Sequence, residues 1–411
     1  MHRPLPIGNT GPMERIGERV LSWASVLDEQ ARQQALATAS VAAIDGHVAL
    51  MPDAHLGMGC TVGSVIPTRE AIIPSAVGVD IGCGVIATET SLAAGDLPDT
   101  LEPLLDRWAE DIPAGLGYWH AEADPAWQDF VGRHGVPESV MNDARLRDKA
   151  PRQFGTLGSG NHFLELCTDE RGTVWLMLHS GSRGPGNTLA MRHIEAAKGL
   201  MRRAMVDLPD PELAYLAQGT PEFDAYIADL QWAQAYASGN RQRMMRVALD
   251  ALADVTGRVG GDLAVATINN HHNYARLERH DGKDLWISRK GAISAREGEL
   301  GVIPGSMGTG SFVVQGLGNP DAYCSAAHGA GRAMSRRQAR KTFGVDDMER
   351  AMEGRTWLRR AAAQLIDEIP GAYKDLDTVM ADQTDLVEVV HRLDTVVNYK
   401  GVEKGSRRGK A

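Results

Sequence analysis

Hydrophobic and polar positions follow two alternating regimes along the chain. Ile16, Val20, Ala24 and Leu27 fall on one stripe, which predicts a helix within 13–35. From 48 to 90 the pattern shortens to apolar runs broken by Gly, Pro and Asp. Val48 to Met51, Thr61 to Ile66, Val77 to Ile81 and Val85 to Thr88 read as strands joined by tight turns. Residues 97–150 read as polar helices with loops around Gly115 to Asp124, and strands return at Phe163 to Leu166 and Val174 to His179. Thr188 to Val206 and Pro221 to Val255 read as helices, giving a helical insertion at about 188–256. Residues 261–318 are strands and turns again. Asn319-Pro320 is expected to open a helix reaching about Lys341, and an amphipathic stripe from Trp357 to Ile369 ends at Pro370-Gly371. There is no internal repeat and no linker between domains. The expected fold is α+β: one compact mixed domain over 1–401 with a helical insertion, then a basic flexible tail over 402–411.

The chain has 411 residues, 43% of them hydrophobic, which supplies a sizeable core and excludes general disorder. No apolar run approaches the ~18 residues of a membrane helix. Met1 to Thr10 lacks a signal-peptide pattern, so a soluble, cytoplasmic protein is expected. The formal net charge of −10 argues against a general nucleic-acid coat but leaves room for a local basic patch. Cys60, Cys83, Cys167 and Cys324 are widely spaced, so a disulfide framework is not expected.

The histidines draw attention next. His55, His162, His179, the His271-His272 pair and His328 all sit in turns rich in Gly, Asn, Asp or Ser, and Asp80 and Cys83 share the turn Gly78 to Gly84. Imidazole, thiolate and carboxylate are ligands for first-row metals. Candidates this scattered suit an open site assembled by the fold, not a structural zinc site with paired ligands. A single Gly-flanked histidine is more often a turn or core residue, and a lone cysteine more often a small buried hydrophobe. The joint pattern carries the functional reading. Cys60, Cys167 and Cys324, and His2, His47, His120, His134, His193, His280 and His391, are read as packing or surface residues. No P-loop and no nucleophile elbow is present. Arg183 and Arg332 lie in glycine turns where a guanidinium could hold phosphate. Arg336, Arg337, Arg340 and Lys341 make a basic face beside His328, a candidate polyanion surface.

Met51 to Gly57, Val77 to Gly84, Gly158 to Glu165, Leu178 to Gly184, Arg289 to Ala292, Pro304 to Gly308, Ala327 to Arg332, Tyr373-Lys374-Asp375 and Tyr399-Lys400-Gly401 together resemble the RtcB family of tRNA-splicing RNA ligases, in the family's order. The resemblance implies a GTP- and manganese-dependent enzyme, built around a central metal and nucleotide cleft. It would join an RNA 3′-phosphate or 2′,3′-cyclic phosphate to a 5′-hydroxyl in tRNA splicing or RNA repair. His328 would carry GMP as the covalent nucleophile, and Asp53 would serve the joining step. Asp80, Cys83, His162, His179 and His272 would hold two Mn²⁺, with Cys83 bridging. Asn161 and Arg183 would meet the phosphates, and Gly329, Ala330, Gly331 and Arg332 would bind the nucleotide. Glu165, Ser311 and Lys400 would recognise guanine, and Tyr373 would lie near the nucleotide. An accessory activating protein is a possible partner, and no membrane is involved. Met58 departs from the pattern, which has lysine there. Two other readings compete with it: a metal-dependent RNA-end phosphatase or cyclic phosphodiesterase that has lost ligation, and a non-catalytic RNA-binding module.

Overall fold

Two curved sheets meet edge to edge and are backed by helices. The computed structural model describes residues 13–258 and 263–402. One sheet runs in the spatial order Ala264–His271, Gly84–Ala93, Thr173–Ser180, Phe163–Asp169, Val387–Lys400, Ser311–Gly316 and Leu300–Pro304, every neighbour antiparallel. Its end strands approach each other: Asn270 Nδ2 donates to Leu300 O at 3.1 Å, so the sheet is a nearly closed barrel. Val85, Phe163, Trp175, Met177, Val302 and Leu393 pack together on one of its faces. Val85, Val302, Phe163 and Trp175 among them are β-branched or aromatic, which suits a half-buried pleated surface.

The second sheet has the order Glu14–Arg15, Val20–Ser22, Val48–His55, Val62–Thr68, Lys283–Lys290 and Asn273–His280. One residue, His272, separates the edge strand Ala264–His271 of the first sheet from the edge strand Asn273–His280 of the second. The helix Pro221–Val255 starts with Pro221 in its first turn and Thr220 Oγ1 accepting from Phe223 N at 3.3 Å. Its Met244, Ala248 and Leu252 pack with Leu164, Leu176 and Leu178 of the barrel. Its Tyr226, Leu230, Trp232 and Tyr236 pack with Trp127, Phe130 and Phe154. The helical stretch expected at about 188–256 is therefore a wall of the barrel, and it begins earlier, with the helix Arg183–Arg203. Pro185 and the flanking glycines sit in its first turn, where the missing N–H costs nothing.

Four expectations change. Within 13–35 only Glu29–Ala39 begins a helix, capped by Asp28, because Val20–Ser22 is taken into parallel pairing with Val48, Ala49 and Leu50. Val77 to Ile81 is a buried turn, not a strand; an apolar run reports burial and not geometry. The helix expected from Asn319 is a single 3₁₀ turn, Pro320–Ala322, ended by left-handed Tyr323 and Cys324, and the helix proper is only Arg336–Thr342. The amphipathic stripe from Trp357 is broken into Arg359–Ala361, Ala362–Leu365 and Ile366–Glu368. The tail expected to be flexible lies outside the described residues from 403 on, as does His2.

Phe130 ties the helical wall together, with ring centroids 5.4 Å from Trp127, 5.2 Å from Phe154, 5.8 Å from Tyr236 and 6.2 Å from Trp232. Phe130→Ala should lower the unfolding free energy by about 3–5 kcal/mol. Urea denaturation followed by tryptophan fluorescence measures this, and a loss below about 1 kcal/mol would show a wall that collapses around the gap.

Candidate active site

The barrel mouth is where strands of both sheets start or end, and the sequence places a donor atom at each. Cys83 directly precedes Gly84–Ala93, His162 directly precedes Phe163–Asp169, His179 lies near the end of Thr173–Ser180, and His272 joins the sheets. Their side chains converge. Cys83 Sγ lies 3.4 Å from His162 Nε2 and 3.2 Å from His179 Nε2. His179 Nε2 lies 3.3 Å from His272 Nε2, and Asp80 Oδ2 lies 3.1 Å from His162 Nε2. His271, the alternative in the pair, points elsewhere, with Nδ1 2.7 Å from Gly82 O.

The protonation pattern follows from burial. Desolvation pushes the imidazoles of His179 and His272 well below their ordinary range, helped by the neighbouring histidines, so both are neutral. Desolvation, followed by the Asp80 charge, pushes the Cys83 thiol well up. Burial also opposes ionising Asp80, but the His162 contact and the Arg183 charge outweigh it and hold the carboxyl below the usual range. His162 Nδ1 lies 2.9 Å from Leu157 O; a proton donated there leaves the Nε2 lone pair in the cluster. Two imidazole nitrogens facing at 3.3 Å need a shared proton or a cation between them. Neutral imidazoles, a thiol and a carboxylate fit a first-row divalent metal.

The cluster is braced from behind by Arg241, fully buried on the helix Pro221–Val255. Nη1 donates to Gly82 O at 2.8 Å and Ser180 O at 3.0 Å, and Nε to Asn269 Oδ1 at 2.8 Å. One guanidinium thus holds the residue before Cys83, the residue after His179 and the strand leading to His272. Asn240, its neighbour, accepts from Gly155 N at 2.7 Å and donates to Gly181 O at 3.2 Å.

His328 stands against the cluster, its ring edge-on to His272 with centroids 4.7 Å apart. Its backbone N–H donates to Asp53 Oδ2 at 3.2 Å and its Nδ1 approaches the same oxygen at 2.5 Å, off the line of a straight hydrogen bond. Asp53 is fully buried. Gly331 has φ of 69°, and a Cβ there would fall 2.4 Å from Asp53 O, so the turn holding His328 against Asp53 requires glycine.

A cavity of about 380 Å³ is lined by the metal-type group (Asp80, Cys83, His179 and His272), by Asn161, by the turn 328–331, and by Arg332, Arg336, Glu368, Tyr373 and Lys400. Arg332 stacks on Tyr373, its guanidinium carbon 4.9 Å from the ring centre, and donates to the hydroxyl at 3.1 Å. Other expected residues lie behind this wall. Glu165 is buried against Asn398 Nδ2 at 2.6 Å and Thr395 Oγ1 at 3.3 Å, and burial pushes its carboxyl up to about 7. Ser311 is buried, with Oγ 3.4 Å from Gly305 N. Arg183, at the head of its helix with φ of 56°, has Nη1 3.4 Å from His162 Nδ1 and fills the space beside Gly158.

The basic face at Arg336 to Lys341 is partly neutralised. Asp367 meets Arg336 at 2.8 Å and Arg340 at 3.0 Å, and Glu368 also pairs with Arg336. Sequence reasoning missed Glu368, Arg241 and a role for Lys290, whose Nζ donates to Met58 O at 2.5 Å on the cavity wall. Glu368 sits in an amphipathic stripe and Arg241 in an ordinary polar helix position, and neither spacing carries a signal.

Two outcomes follow for metal uptake. Arg241→Met should lower Mn²⁺ affinity by about 10–100-fold, with Arg241→Lys in between, measured by titration calorimetry; unchanged affinity would show that the ligand turns hold themselves. The imidazoles of His179 and His272 are neutral and the Cys83 thiol is protonated before binding, so uptake releases the thiol proton. Mn²⁺ affinity should then rise about tenfold per pH unit between about pH 6 and 8, and a flat profile would remove Cys83 from the ligand set.

Comparison with known proteins bears on this arrangement. The family described as tRNA-splicing ligase RtcB matches residues 34–401. The chain is 46% identical over 389 residues to the RNA-splicing ligase RtcB of Escherichia coli K12, covering 91% of this chain and 95% of that protein. It is 31% identical over 419 residues to the RNA-splicing ligase RtcB of Mycobacterium tuberculosis, covering 85% and 96%. It is 30% identical over 443 residues to the tRNA-splicing ligase RtcB of Aeropyrum pernix, covering 90% and 91%. With a match over nearly its whole length and every donor atom of the barrel mouth inside the matched range, the chain belongs to the RtcB family of tRNA-splicing ligases.

Proposed function

We propose that this chain joins RNA ends bearing a 3′-phosphate or 2′,3′-cyclic phosphate to 5′-hydroxyl ends, using GTP, in tRNA splicing or RNA repair in the cytoplasm. Residues 1–401 work as one catalytic unit. No described helix is long and apolar enough to cross a membrane.

The observation that carries the reading is the pairing of His328 with buried Asp53, inside a cavity shared with the thiol–imidazole cluster. An imidazole becomes a useful nucleophile when its second nitrogen is held by a partner. Asp53 Oδ2 takes that place at Nδ1, leaving Nε2 to attack the α-phosphorus of GTP. The new N–P bond forms as the bond to pyrophosphate breaks, and Asp53 stabilises the charge that develops on the ring. The RNA 3′-phosphate then takes the GMP from His328, and the 5′-hydroxyl attacks the activated end, releasing GMP. A cyclic phosphate is first opened by water.

Arg332 and Asn161 on the wall, with Arg183 behind Gly158, supply donors to phosphate oxygens whose charge grows in these steps. Gly329, Ala330 and Gly331 bring backbone close to the nucleotide. Lys400 and Tyr373 meet the nucleoside, with Glu165 and Ser311 beneath them. Asp80, Cys83, His162, His179 and His272 would hold two Mn²⁺; such ions would supply Lewis-acid stabilisation of phosphoryl oxygens.

The test is labelling with GTP carrying ³²P at the α-position in the presence of Mn²⁺. The wild-type chain should become labelled, and His328→Ala should show no adduct while keeping its melting temperature within about 2 °C and its Mn²⁺ uptake. Adduct on the variant would move the nucleophile elsewhere. Phosphate release from RNA ends without any adduct on the wild type would favour hydrolysis.

A further inference from the structure

Glu368 is a buried carboxylate inside a cavity read as a nucleotide site, where phosphates make a negative charge unwelcome. Among the described residues lining that cavity, Asp80 is the other acid, and it belongs to the metal-type cluster. Glu368 ends the 3₁₀ turn Ile366–Glu368 and is 3% exposed. Both its oxygens are committed. Oε2 accepts from the Tyr373 hydroxyl at 2.7 Å and lies 3.0 Å from Lys400 Nζ. Oε1 accepts from Arg336 Nη1 and lies 3.6 Å from Arg332 Nη1. These four donors come from a glycine turn, a short helix, a loop and the end of the strand Val387–Lys400.

Lys400 makes the argument sharper. Its side chain is 4% exposed, its Nζ lies 5.6 Å from the Phe163 ring centre, and Glu368 is its ion-pair partner among the described residues. A buried ammonium that loses its counter-charge keeps the desolvation cost without the attraction, and withdraws toward water or toward another acceptor. The Tyr373 hydroxyl would lose its fixed acceptor in the same change, and with it the orientation of the ring on which Arg332 stacks. The geometry points to Glu368 as a positioning residue for nucleotide binding, which holds Lys400 and Tyr373 where they meet the nucleoside and keeps Arg336 turned into the cavity. A bare acidic group would do the opposite and repel the ligand. The two roles therefore differ in sign. The consequence for selectivity follows from the base edges: guanine offers a carbonyl acceptor to an ammonium where adenine offers an amino donor, so a Lys400 held in place discriminates between them.

This inference rests on the nucleotide reading above, and the test separates the two. The probe is GMP, with AMP as competitor, in calorimetric titrations of the full chain without metal. Glu368→Gln should weaken GMP binding by about tenfold or more and narrow the preference for GMP over AMP. Glu368→Asp keeps the charge with a shorter reach and should weaken it by about threefold; it carries the same test if the amide variant melts too early. In a Lys400→Met background the Gln change should cost less than about threefold further, because the partner it served is gone; a purely structural role would add in full. GMP binding by Glu368→Gln as tight as wild type, or tighter, overturns the positioning role. Wild-type chain that binds no GMP and takes no label from GTP overturns the nucleotide reading itself, whatever Glu368 does.

Discussion

The site depends on one buried cation. Among the described residues Arg241 pairs with no carboxylate; its donors go to Gly82 O, Ser180 O and Asn269 Oδ1, with Nη2 3.2 Å from His271 Nδ1, and burial pulls the guanidinium down to about 10. Such a group is costly to bury and is tolerated when every donor is satisfied and an opposite charge lies within reach. Here the nearby negative charge belongs to Asp80, and to Cys83 once it loses its proton. The arginine therefore does two things at once. It fixes the backbone on which the donor atoms stand, and it provides the positive background against which a thiolate and a carboxylate can share a dry site.

The rest of the cavity solves a different problem. The barrel mouth gives rigid strand ends, which suit atoms that must converge to within a few tenths of an ångström. The other wall is made of turns and 3₁₀ segments, 328–332 and 366–373, whose side chains are held by mutual pairing. Met58 fits this division. Its carbonyl accepts from Lys290 Nζ, so a cation still reaches that part of the wall from the second sheet.

Much of the site was legible in the sequence because glycine-flanked histidines announce turns as well as chemistry. His162, His272 and His328 stand at turns, His179 stands near a strand end, and the fold brings them together. The strands after 48 and the helix Pro221–Val255 were legible from period and caps. Where an element differs from its expected form, the reason is that apolar spacing reports burial, and local geometry decides the element. Ile16, Val20 and Ala24 keep helical spacing but enter or flank a parallel pair, and Val77 to Ile81 is buried in a turn. Tyr323 and Cys324 adopt left-handed backbone, which no spacing announces for such residues, and cut the helix expected from Asn319. Glu165 and Ser311 sit where the motifs place them in sequence, yet behind the cavity wall, because strand alternation sets the face and neighbouring side chains set the depth.

His328 joins the two halves, and its position explains why they share one cavity. Its ring touches His272 of the metal-type cluster on one side, while its backbone continues through Gly329 to Arg332, which stacks on Tyr373. The turn is anchored from a third direction by Asp53, on the strand Val48–His55 of the second sheet. An imidazole placed this way cannot shift toward one half without loosening the other, since Gly331 packs directly on the Asp53 backbone. Rigid placement of one imidazole between a cation-binding group and a donor-rich wall is what in-line transfer of a nucleotide demands, because attacking and leaving atoms must both be stabilised along a single axis.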